Sequence, residues 1–109
     1  MIVVKTYNKD NNILKISIKG HANYKEYGND IVCASVSSIA LCTVNAILTF
    51  NKESISVIEN DGLLVINVLK KDDSTTKKLL INMLRCLKDV ETDYPANIKI
   101  SEEEWRWNS

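Results

Sequence analysis

Residues 14–50 read LKISIKGHANYKEYGNDIVCASVSSIALCTVNAILTF, and along this stretch the side-chain period changes from two to 3.6. Leu14, Ile16 and Ile18 alternate with Lys15, Ser17 and Lys19, the pattern of a strand buried on one face only. Residues 20–29 follow neither period and carry Gly20 and Gly28 near their ends, so they read as a loop. From Asp30 onward Val32, Val36, Ile39, Thr43 and Ile47 recur along one face of a helix, with Cys33, Ser37, Ala40 and Val44 beside it. Asp30 suits the N-cap, because its carboxylate can accept from the free amides of a first turn. The pattern predicts a helix to about Phe50, where Asn51 and Lys52 end it.

The flanking sequence supplies the partners. Ile2 to Tyr7 reads as a strand, and the polar cluster Asn8 to Asn12 turns it into a hairpin with the strand at Leu14. Ser54 to Glu59 and Leu63 to Leu69 are β-branched runs joined by Asn60-Asp61-Gly62, a turn signal because Asp and Gly tolerate positive φ. Asp72 and Asp73 precede a second amphipathic pattern, Leu80, Met83, Leu84, Leu87 and Val90, and suit the positive end of its dipole. Tyr94-Pro95 stops that helix, and Asn97 to Ile100 forms a last strand. The order ββαββαβ, with half-apolar strands and two single-striped helices, predicts one α+β domain over residues 1–109. It has two layers, a mainly antiparallel five-stranded sheet and two helices.

Composition narrows the function classes. The 109 residues carry 14 basic and 14 acidic side chains, a balance that argues against a direct nucleic-acid partner. The five lysines of residues 1–28 read as a solvated face. No apolar run of 18 residues is read in the chain and its start lacks a signal-peptide pattern, so the expectation is a cytoplasmic protein with no membrane contact. Cys33, Cys42 and Cys86 lack metal-ligand spacing, and Cys33 and Cys42 fall about 180° apart on one helix. No metal or other cofactor is expected, and Cys42 and Cys86 are expected to be buried thiols.

The unusual residue choices concentrate between Gly20 and Ser37. The single histidine, His21, follows a strand; Cys33 falls at the third position of the predicted helix, within reach of the positive end of its dipole. A thiol there, with a histidine as base and then acid, is the minimum set for covalent catalysis. The free amides of the helix start can stabilise an oxyanion. Asp30 can orient His21, and Ser37, one turn after Cys33, can donate to the thiolate or to substrate. The same residues also fit a small core cysteine and a turn histidine, and position alone leaves both readings open.

Gly20-His21-Ala22, Tyr24, Gly28, Asp30-Ile31-Val32-Cys33-Ala34 and Val36-Ser37 resemble the signature of the ribosomal-processing cysteine protease family, Prp, with its spacing of His, Asp and Cys. The resemblance implies a cysteine endopeptidase with Cys33 as nucleophile and His21 as general base, supported by Asp30 and Ser37. It implies a homodimer that removes the N-terminal extension of a large-subunit ribosomal protein, cutting after adjacent aromatic residues. Ser35 stands where alanine is usual. The alternative from another class is a non-catalytic ribosome-assembly or peptide-binding module using the same segment as a groove.

In the tail, Glu102-Glu103-Glu104 reads as solvated, and Trp105 and Trp107 read as capping a sheet edge or a dimer contact. Residues 22–29, with Gly20 and Gly28 as hinges and Tyr24 and Tyr27 as aromatic contacts, are expected to be mobile in the free protein and to order over a bound peptide. Amide exchange in this segment should then slow when a substrate peptide is added; equal protection with and without peptide would refute it.

Overall fold

The structure, a computed structural model, describes residues 1–20 and 27–105, and for residues 27–30 the backbone alone. The elements are β1 (Ile2–Lys9), β2 (Asn12–Lys19), α1 (Tyr27–Phe50), β3 (Ile55–Asn60), β4 (Leu63–Val68), α2 (Ser74–Asp93) and β5 (Ile98–Glu104). They form one five-stranded sheet in the order β3-β4-β2-β1-β5. Every neighbouring pair is antiparallel except β1 and β5, which run parallel. The expected ββαββαβ order, two-layer α+β arrangement and mainly antiparallel five-stranded sheet are found, the one parallel pair being β1 and β5.

Alternation along the strands decides which side the helices cover. Ile2 and Val4 of β1, Ile16 and Ile18 of β2, Leu64 and Ile66 of β4 and Ile98 of β5 all face one side. Val32, Val36, Ala40, Val44 and Ile47 of α1 and Leu80, Met83 and Leu87 of α2 close over them in one buried cluster. They lie along the helical faces read from the sequence, with the α1 line turned so that Ala40 and Val44 are buried while Ile39 and Thr43 are half-buried beside them, and with Leu84 and Val90 of α2 half-buried. Each fully buried aliphatic side chain contributes roughly 1.5–3 kcal/mol of transfer free energy, so this single layer of contact dominates stability.

Details at the ends depart from the local reading. The first hairpin turns through Asp10 and Asn11, both left-handed at φ 52° and 64°, the pair of positive φ values that matches strand twist. In the second hairpin only Gly62 is left-handed, at φ 71°. The β1–β2 register slips between Tyr7 and Asn8: Tyr7 faces Lys15 but Asn8 faces Ile13, which leaves Leu14 as the extra residue of a bulge. Ile13 therefore packs against the core, where strict alternation had put Leu14.

Helix ends are satisfied by side chains. The Asp73 carboxylate accepts from the Thr76 amide at 3.1 Å and from the Thr76 hydroxyl, which caps α2. Those two bonds, hydroxyl first, hold its pKa below the usual carboxylate value. At the end of α1, the Asn51 carbonyl accepts from both the amide and the hydroxyl of buried Ser54, and the Ser54 carbonyl in turn accepts from Leu69 and Lys70. That network ties the exit of α1 to the exit of β4.

Two expectations need correction. Residues 31–50 contain no charged side chain, so α1 is long and apolar enough by composition to cross a bilayer, despite the absence of a strictly apolar run. Its interruptions are Ser, Thr and Asn, whose polarity is small beside a charge. In this domain its inward stripe lies in the core. Cys42, expected to be buried, is exposed on the outward side of the same helix, while Cys86 is half-buried.

Thr6 is the one buried side chain of β1 that is not hydrocarbon, and its hydroxyl has no hydrogen-bond partner among the described residues. A desolvated, unpaired hydroxyl is a standing cost. Thr6→Val, of nearly the same shape, should raise stability by about 1 kcal/mol in urea unfolding, and a lower urea midpoint would contradict it.

Candidate active site

The chain reaches the site through Gly20. At the end of β2 its φ is 96°, a conformation open to glycine and costly for a side chain. Its amide donates to the Gly62 carbonyl at 2.5 Å, so the β3–β4 turn braces the exit of β2. Sequence reasoning missed Gly62 here, because nothing local says which turn lies beside which strand end. The six residues that follow, His21 to Glu26, lie outside the described residues, and with them the predicted base His21, the contact residue Tyr24 and most of the expected gating segment.

Helix α1 starts at Tyr27, three residues before the predicted cap. Tyr27 and Gly28 are thus helical rather than loop, and Asp30 is the fourth helical residue rather than the N-cap. Period alone could not find this start, since Tyr-Gly-Asn carries no apolar repeat. The shift moves Cys33 from the third to the seventh helical position. The open amides belong to Tyr27–Asp30, and from Asp30 to Cys33 the helix rises about 4.5 Å. The dipole acts mainly within the first turn, so the helix start is a weaker source of thiol activation and oxyanion stabilisation than a first-turn cysteine would enjoy.

Cys33 is half-buried and packs against the edge of the core cluster through the same helical side as Val32 and Val36. Ser37, one turn on, is half-buried beside it. The Ser35 hydroxyl donates to the Ile31 carbonyl at 2.9 Å, four residues back. Its polarity is spent on its own helix, so serine in place of the usual alanine adds no competing group beside the thiol. Trp105 caps the other end of the sheet: its amide donates to the Asn8 carbonyl, and its ring meets Tyr7 edge-on at 6.2 Å. Trp107 lies outside the described residues. β5 runs on through Glu104, so the three glutamates belong to a strand rather than a tail.

No group of three or more His, Cys, Asp or Glu side chains able to hold a metal occurs among the described residues. An open cleft of about 610 Å³ lies at the hairpin end, against Asp10, Asn11, Lys77 and Glu103. It contains no nucleophile and stands at the opposite end of β2 from Gly20.

The described residues thus place a half-buried thiol near the start of the core helix of a small α+β domain, six residues of chain beyond a braced strand end. The profile of the family described as "Cysteine protease Prp" matches residues 1–99. The "Ribosomal processing cysteine protease Prp" of Staphylococcus aureus (strain Mu50 / ATCC 700699) is 33% identical over 98 residues, covering 88% of this chain and 92% of that one. Its Bacillus subtilis (strain 168) counterpart is 28% identical over 98 residues, covering 84% and 88%. The crystal structure of S. aureus Prp with a substrate peptide superposes with a TM-score of 0.88 at 29% identity, over 94% of this chain and all of that one. The same enzyme with a covalently linked product peptide gives 0.85 at 30% identity, with equal coverage. This chain belongs to the Prp family of cysteine proteases.

Proposed function

We propose that this protease removes the N-terminal extension of a large-subunit ribosomal protein, with Cys33 as nucleophile and His21 as general base. The observation that carries the covalent route is the covalently linked product peptide in the S. aureus relative, together with the half-buried Cys33 on α1. In acylation the Cys33 sulfur bonds to the scissile carbonyl carbon as His21 takes the thiol proton. His21 returns that proton to the leaving amine as the C–N bond breaks, leaving a thioester on Cys33. Water then adds to the thioester carbonyl as His21 takes one of its protons; the C–S bond breaks, the Cys33 sulfur takes that proton back from His21, and the carboxylic acid product departs. Because α1 begins well before Cys33, most of the thiol activation in this reading falls to His21, with Asp30 and Ser37 in positioning roles.

A peptide spanning the cleavage junction should give two fragments with the purified protein. Cys33→Ala should lower kcat/KM by about 10³-fold or more, and His21→Ala by roughly 10²–10⁴-fold, both with peptide binding retained. Cleavage by Cys33→Ala at the parental rate would remove the nucleophile from this scheme.

We further propose that the protein works as a homodimer joined through the outward face of α1. Ile31, Ala34, Ser38, Leu41, Cys42 and Asn45 form an exposed stripe at helical spacing with no charge on it. An isologous contact sets a surface against its own copy, which suits a face without like charges. Leu41→Lys should shift the protein from dimer to monomer in light scattering, whereas a parent already monomeric at micromolar concentration would exclude this interface.

A further inference from the structure

We propose that the helix-free face of the sheet is a docking surface for RNA, which it holds through the phosphates. Identifying the polyanion as RNA rests on the reading of a ribosomal component as substrate; the surface itself is read from the strand registers. Residues paired across strands share a face, and the pairs Val3↔Lys19 and Val3↔Lys99, Lys5↔Ser17 and Lys5↔Ser101, and Tyr7↔Lys15 all fall on the side away from the helices. Lys5, Lys15, Lys19 and Lys99 therefore stand together on β2, β1 and β5, with Glu103 as the one acid on that side of these strands. The chain is neutral in total, with 14 charges of each sign; folding separates them.

The neutralising contacts are slight. Lys5 meets Glu103 at 3.8 Å with both side chains about half exposed, an ion pair of little strength in water. Lys15 lies over the Tyr7 ring, 5.2 Å from its centroid, which holds the ammonium at the surface without cancelling its charge. Lys19 and Lys99 pair with no carboxylate among the described residues.

Geometry and chemistry both select the partner. Neighbouring strands are about 4.8 Å apart and same-face residues about 7 Å apart along a strand, so the lysines form a flat grid of point charges on flexible stems. Such a grid follows phosphate density and reads no base sequence. A stable protein interface needs an apolar centre depleted of charge; on the β2-β1-β5 part of this face Lys5 lies between Ser17 and Ser101, and the apolar residues Leu63, Val65 and Ile58 stand apart on β4 and β3. A second copy would set four lysines against four. Lys19 immediately precedes Gly20, so one end of the charged face lies where the chain leaves β2, and Lys15 carries it on toward the hairpin end.

The test is fluorescence anisotropy of a labelled 20-base-pair RNA duplex with the full chain, between about 50 and 200 mM salt. The parent should bind with a log–log salt slope of about −3, as expected for three to four phosphate contacts. Lys5→Glu/Lys99→Glu should weaken binding at least tenfold. Lys78→Glu/Lys88→Glu, the same charge change on exposed positions of α2, should weaken it less than threefold. Lys5→Gln/Lys99→Gln, with native circular dichroism required, serves if the charge reversal impairs folding. The proposal is overturned by no binding at 50 mM salt, a salt-independent affinity, or equal losses in the sheet and helix variants. Cleavage of the free junction peptide is followed on the same samples and should be unchanged in all of these variants. Loss of RNA binding with cleavage intact in the parent counts against this surface alone, and RNA binding without cleavage counts against the protease substrate alone.

Discussion

The seating of α1 on the sheet is the contact on which the rest of the molecule depends. Val32, Val36, Ala40, Val44 and Ile47 fill the layer above Ile16, Ile18, Leu64 and Ile66, and no other element spans so much of it. Small residues on this stripe let the helix approach closely, and close packing leaves it little freedom to rotate. Cys33 stands next to Val32 in sequence and at the edge of the same cluster, so its position is fixed by hydrocarbon packing. The location of the proposed nucleophile is in this sense a by-product of core formation.

The strand end that faces the helix start is fixed by a different kind of interaction. Gly20 leaves β2 in a conformation that favours glycine, and its amide is held by the carbonyl of Gly62 from the neighbouring hairpin. Glycines from two hairpins thus set where the chain departs toward His21. At the opposite end, Asn51, Ser54 and Asp73 close the helix termini with hydrogen bonds; nearer the Gly20 end, Glu91 of α2 accepts from the Ile100 amide on the outer edge of β5 at 2.8 Å. The covered edge limits strand addition there. The two ends of the sheet therefore differ: one is tied down by caps, the other carries the entry to the site.

Much of the architecture was legible because it is local. Alternation from Lys15 to Lys19 and the apolar character of Val32 to Ile47 need only neighbouring residues to be interpreted, and both survive in the fold. The Cys33-centred motif was legible for the same reason. Misreadings arose where the deciding partner is distant in sequence. β5 extends to Glu104 because β1 continues beside it as far as Asn8, pairing Thr6 with Glu102 and Asn8 with Glu104, although a run of three glutamates has poor strand propensity. α1 starts at Tyr27 although no periodic residue announces it. The bulge at Leu14 comes from the register between two strands, which neither strand carries alone.

The amino-acid sequence by itself determined the element order, the inward faces of both helices, the turn positions and the cysteine and histidine that mark the family, since each depends on side-chain period or on residue chemistry within a short window. Tertiary structure alone decided the strand order, the parallel placement of β5 against β1, the bracing of Gly20 by Gly62, the exposure of Cys42 and the gathering of Lys5, Lys15, Lys19 and Lys99 on one face. Those features depend on which strands lie side by side. That choice is made by burying the apolar faces of the whole sheet at once, a collective property that no single segment encodes.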